Sequence, residues 1–87
     1  MRYILSKRFQ KDFGKLPRRT KAKAIEVLAL FVEDPDNYVL RVHALKGAWI
    51  GHYSIDVTGD TRAIYFIIEK GTLVRFVAIG THSQLYG

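Results

Sequence analysis

"TRAIYFIIEKGTLVRFVAI", residues 61–79, is the stretch that decides the fold. Its two halves, "TRAIYFII" and "LVRFVAI", are β-branched and aromatic almost throughout, and "EKGT" between them is a hairpin signal. A strand that is apolar on both faces must be covered on both faces. Helices are therefore expected on one side of the sheet and something else on the other. Upstream, "WIGHYSIDV" (49–57) alternates, with Gly51, Tyr53, Ile55 and Val57 on one face and His52, Ser54 and Asp56 on the other. The turn "TGD" (58–60) connects it to the hairpin, and Gly59 is expected to supply a positive φ there. "VLRVHAL" (39–45) reads as one more short strand.

The N-terminal half has a helical period. "RYIL" (2–5) reads as a short strand, and Ser6 is placed to cap a helix immediately after it. Phe9, Phe13 and Leu16 then recur at i, i+4 and i+7. "GKLPRR" breaks this helix, with Pro17 suited to the first turn of a second. Its expected apolar stripe is Ala24, Ile25, Leu28, Phe31 and Val32, with Lys21, Lys23 and Glu26 largely outside it. The helix ends at "EDPDN", because Asp34 before Pro35 is pushed out of helical geometry. The expectation is α+β: a strand, two helices packed on an antiparallel sheet, then a meander of three or four strands, β-α-α-β-β-β(-β), in one domain over residues 1–87.

Composition bounds the function. A chain of 87 residues supports one domain. There is no cysteine, which excludes disulfides and thiolate metal sites. No run approaches the roughly 18 apolar residues of a membrane span, and "MRYILSKRFQ" is too short in apolar residues for a signal-peptide core. A cytoplasmic protein without a membrane partner is expected. The net charge of +6 is unevenly placed. Residues 1–23 hold nine Lys and Arg against Asp12 alone, a balance of +8, whereas residues 24–87 carry −2. Such asymmetry points to a polyanion or an acidic protein as partner.

Three segments in order, "VHALKGAWIGHYSIDV", "GDTRAIY" and the C-terminal "GTHSQLYG", resemble the RelE/ParE superfamily of bacterial toxins from toxin–antitoxin pairs. Within it, the chain is most similar to YafQ-type ribosome-dependent mRNA endonucleases, over essentially its whole length. The resemblance implies a RelE-like fold, an acidic cognate antitoxin, and mRNA and ribosomal RNA as partners. It also implies catalytic roles for His43, Asp60, His82 and Tyr86. The chain departs from the pattern at Asp56, where YafQ-type enzymes often carry histidine, and at Thr61, where they have tryptophan. Arg62 looks like the strand arginine of the RelE branch.

The residue types fit that chemistry in their own right. Cleaving RNA through its 2′-hydroxyl needs a base for that proton, donors or cations on the crowded phosphate, and an acid for the departing 5′-oxygen. Histidine can be base or acid. Arginine presents a planar fork to phosphate, and tyrosine stacks on a base or supplies a hydroxyl. His43, Arg62, His82 and Tyr86 supply this set, with Asp60 available to orient an imidazole. Which of His43, Asp60 and His82 is base and which is acid stays open. Arg41 and Lys46 are candidate backbone-phosphate ligands, and Lys11, Lys15, Arg18 and Arg19 form a basic helical face suited to RNA. Trp49 and Arg75 read as structural, and His52 matches no motif. No cofactor is expected: the histidines at 43, 52 and 82 have no metal-ligand spacing, and "TGDT" and "KGT" are turns rather than phosphate loops. Two other readings share the fold: a ParE-like gyrase inhibitor, and a catalytically decayed relative that still binds its antitoxin.

Overall fold

In the computed structural model, which covers residues 1–87, strands β4 (Thr61–Glu69) and β5 (Leu73–Thr81) form the long hairpin expected from their composition. Strand β3 (Tyr53–Asp56) adds antiparallel to β4, and the two-residue β2 (His43–Ala44) adds antiparallel to β3. Strand β1 (Arg2–Leu5) lies on the other edge and runs parallel to β5, giving the order β1-β5-β4-β3-β2. The meander is antiparallel as expected; β1 makes the sheet mixed. A parallel neighbour requires a long return connection. The helices carry the chain from β1 to the far edge, and the meander works back to β1.

Helix α1 (Lys7–Gly14) starts at Ser6, whose Oγ accepts the Phe9 N–H at 3.0 Å and donates to the Val77 carbonyl at 3.1 Å. The cap thus also ties the helix to β5. β1 stops at Leu5, opposite Phe76, so β5 outruns its neighbour. The Ile79 N–H donates instead to Asp12 Oδ2 at 3.3 Å. The only acid in the basic N-terminal stretch is therefore committed to an otherwise unpaired strand edge.

Helix α2 (Arg18–Glu33) starts directly after Pro17, whose carbonyl accepts the Lys21 N–H. Its buried residues are Ala24, Val27, Leu28 and Phe31, a regular i, i+3, i+4, i+7 stripe. The expected stripe is corrected at two positions: Ile25 is 61% exposed and Val32 39%. Each lies one residue past a core position, and 100° of rotation carries it off the core face. The helix layer buries Ile55, Val57, Ala63, Tyr65, Val74, Phe76 and Ile79 from one face of the sheet.

The segment 39–45 is mostly not a strand. Tyr38–Leu40 is a 3-10 turn, Arg41 is left-handed, and only His43–Ala44 pair. A second 3-10 turn at Gly47–Trp49 and a left-handed Gly51 (φ 87°) delay β3 to Tyr53, so the alternation read from Trp49 onward begins too early. Gly59 likewise does not take the positive φ expected of it. The Thr58 hydroxyl closes that turn instead, accepting the N–H groups of Asp60 and Thr61 at 3.3 and 3.0 Å.

The second covering demanded by the apolar strands is small. Helix α3 (His82–Tyr86) lays Leu85 on Ile64 and Ala78, with Leu45 and Trp49 beside them. The rest of that face stays open. No helix is long and apolar enough to cross a membrane.

Candidate active site

Register fixes which side chains share the open face. His43 stands opposite Ser54, Ser54 opposite Ile64, and Ile64 opposite Ala78; one row further, Asp56 stands opposite Arg62 and Arg62 opposite Gly80. Both rows point away from α1 and α2. At the second row the sheet opens into a groove of about 720 Å³. Arg41, His43 and Lys46 line one wall, Asp56 and Arg62 the floor, and His82 and Tyr86 the other wall, with Val42 and Leu45 between the cations.

The tail "GTHSQLYG" passes from the end of β5 into α3, which opens with a capping box. Thr81 Oγ1 accepts the Gln84 N–H at 3.3 Å, and Gln84 Oε1 accepts the Thr81 N–H at 2.8 Å. Thr-x-x-Gln is a sequence signature for this arrangement and was the missed signal. Gly80 belongs to β5 and is not left-handed; a Cβ there would lie 2.7 Å from Gln84 Oε1. Glycine is needed for close approach. The helix places His82 and Tyr86 at i and i+4 on one face, with ring centroids 4.7 Å apart. Its position is held by buried Leu85, by the Trp49 indole N–H donating to the Leu85 carbonyl at 3.0 Å, and by the His82 N–H donating to the Asp60 carbonyl at 3.2 Å.

His43 Nδ1 lies 2.8 Å from the Arg41 carbonyl oxygen. A carbonyl only accepts, so the proton is on Nδ1 and the neutral ring leaves Nε2 unprotonated. The left-handed backbone of Arg41 (φ 50°, ψ 49°) carries that carbonyl. Asp56 sits between two arginines: Oδ1 is 2.9 Å from Arg62 Nε and Oδ2 is 3.4 Å from Arg41 Nε. Arg62 is further engaged by its own turn. Nη1 donates to the carbonyls of Thr58 and Thr61 at 2.9 and 3.2 Å, and Nη2 to that of Gly59 at 3.2 Å.

The remaining candidates lie elsewhere. The Asp60 side chain is exposed on the β3–β4 turn and does not line the groove; its carbonyl does the positioning described above. Lys11, Lys15, Arg18 and Arg19 are exposed on α1, the α1–α2 connection and the start of α2, and none lines the groove. Lys15 borders a separate cleft with Arg8, Asp12 and Thr20. Thr61 is buried at that cleft. His52 packs edge-on against Trp49 and Phe66, and the Arg8 guanidinium lies 5.5 Å from the Trp49 ring centroid. Arg75 is exposed on β5. No three His, Asp or Glu side chains converge as a metal-ligand group.

A sequence model of the bacterial toxin of type II toxin–antitoxin systems, YafQ, matches residues 1–87. Among solved structures, YafQ from E. coli is 29% identical, with a TM-score of 0.81 over 100% of both chains. The toxin in the E. coli DinJ–YafQ toxin–antitoxin complex is 29% identical, with a TM-score of 0.78 over 98% of this chain and 96% of that one. The YoeB/ParE toxin from Agrobacterium tumefaciens shares the fold at 18% identity, with a TM-score of 0.74 over 94% and 99% of the two chains. No curated protein matches the chain by sequence.

Proposed function

The chain belongs to the YafQ family of type II toxin–antitoxin toxins, and from that premise we propose that it is an endoribonuclease that cuts mRNA in the ribosome. The observation that carries this reading is the groove itself, where two histidines, three cations and an aromatic ring meet on the open face of the sheet. His43 Nε2 has the free lone pair to take the proton of the 2′-hydroxyl. The 2′-oxygen then attacks phosphorus and the bond to the 5′-oxygen breaks. His82, in its protonated form on the opposite wall, returns a proton to that leaving oxygen. Cationic side chains stabilise the charge that builds on the phosphate, and Tyr86 stacks on a neighbouring base. Base, acid and cations are all side chains, so the scheme needs no metal ion. Asp60 contributes by holding His82 through the main chain.

The exposed cations of α1 and α2 suit ribosomal RNA. The solved DinJ–YafQ complex supports an antitoxin partner, here an acidic one covering basic residues 7–23 or laying a helix near them. The site of action is the cytoplasm, where ribosomes and antitoxin are.

Primer extension on a translated mRNA, with wild type and His82→Ala, tests the reading. Codon-linked cuts are expected from wild type, reduced about 10²–10⁴-fold by the substitution. Intact message with wild type would overturn it; inhibition of gyrase supercoiling would then identify a ParE-like inhibitor, and no growth inhibition a decayed relative.

A further inference from the structure

The two groove arginines are held very differently. Arg62 is 23% exposed, and four of its five N–H groups have partners. Three of those partners are carbonyls of the β3–β4 turn, the turn whose Asp60 carbonyl anchors His82. Arg41 is 77% exposed and has one contact, its Nε on Asp56 Oδ2 at 3.4 Å. Both of its Nη groups are without a protein partner. Asp56 thus bridges one fixed guanidinium and one loose one.

Resting on the RNA-cleaving reading above, we infer that Arg41 is an exchangeable phosphate ligand, held by Asp56 until the RNA phosphate takes its place. Arg62 stays on Asp56 and on the turn throughout, as a positioning residue. The energetics favour this division. An ion pair at 3.4 Å with one partner this exposed is screened by solvent and contributes little, so its exchange costs little. Withdrawing Arg62 would instead break a 2.9 Å ion pair with Asp56 and three hydrogen bonds at once, and two of the carbonyls, those of Thr58 and Gly59, have no other protein donor. Electrostatics agrees, because a carboxylate alone in the groove would repel RNA. With Arg62 still paired, Asp56 remains neutralised after Arg41 has left it. The left-handed Arg41 backbone adds a geometric reason. A non-glycine residue stays there only where the surrounding structure holds it against backbone strain. In that conformation its carbonyl meets His43 Nδ1 while its side chain reaches Asp56. One residue therefore sets the nitrogen that acts as base and supplies the ligand for the phosphate beside it.

A single-stranded DNA oligonucleotide, which lacks the 2′-hydroxyl and is not cut, serves as the phosphate probe. Arginine Nε–H resonances are monitored during titration of the folded wild-type protein. The Arg41 resonance is expected to move with bound phosphate while that of Arg62 stays. Arg41→Ala should weaken oligonucleotide binding about tenfold with an unchanged Tm, and Asp56→Asn should strengthen it several-fold. Movement of Arg62 in place of Arg41, wild-type affinity in Arg41→Ala, or no binding by wild type at low salt would each overturn the inference. Cleavage of translated mRNA, measured in parallel, separates the two claims. A wild type that exchanges phosphate at Arg41 but cuts no message sinks the nuclease reading and leaves the exchange standing.

Discussion

Tyr65 lies in the ring stack of the main core, with centroids 5.1 Å from Phe31, 5.2 Å from Phe76 and 5.6 Å from Tyr53. Burial first, then the nearby Tyr53 and Asp36, pushes its hydroxyl from 10.0 up to about 12. The folded state therefore holds this proton more tightly than the unfolded chain does. Its stabilisation is complete below about pH 10 and is lost as pH rises through about 12. The phenolate absorbance that Tyr65→Phe removes should accordingly appear near pH 12; a midpoint near 10 would mean an open ring stack. On the other face, Ser54 is fully buried and its Oγ has no partner. Ser54→Ala removes an unsatisfied hydroxyl and should raise stability by about 1 kcal/mol. In a domain of this size that is a Tm gain of roughly 5 °C. A lower Tm would show that the hydroxyl is satisfied in solution.

At the scale of the element, α3 matters most, since five residues both cover the second face and present His82 and Tyr86. In Gly80→Ala the new Cβ would lie 2.7 Å from Gln84 Oε1, so the Gln84 side chain must move off the Thr81 N–H and the capping box opens. The cost in stability should be modest, about 1 kcal/mol. Cleavage of translated mRNA should fall several-fold, because an uncapped α3 holds His82 and Tyr86 less firmly in place. A Gly80→Ala protein with wild-type cleavage would mean that α3 does not position the groove. This element also marks where sequence reading stops. The β4–β5 hairpin and both long helices were legible because their periodicity reflects burial along the whole element. A five-residue helix has no period to read, and only Thr81 and Gln84 betrayed it. Ile25 and Val32 were misplaced because hydrophobicity marks a stripe no more finely than one residue's rotation. His43, Arg62, His82 and Tyr86 were legible as types, and the groove brings them together. What they bond to was not: the tautomer of His43 and the engagement of Arg62 depend on carbonyls, and carbonyls are the same at every residue.

The whole molecule separates two kinds of positive charge. Arg41 and Lys46 are in the groove, whereas Lys11, Lys15, Arg18 and Arg19 are exposed on the helices and line no part of it. If the helical cations bind ribosomal RNA, they act on docking and the groove acts on chemistry. Replacing all four with Ala should then raise KM for the ribosome–mRNA substrate by about 10²-fold and leave kcat within a small factor, since uniform binding is lost and transition-state contacts are kept. The same variant should lower the slope of log affinity against log salt by about 3, close to one unit per phosphate contact removed. All four side chains are exposed, so the fold should survive, and an unchanged Tm would check this. A fall in kcat with KM unchanged would place these residues on the reacting phosphate. A salt slope equal to wild type would mean that the basic helices face something other than RNA, and the acidic antitoxin would then be their partner.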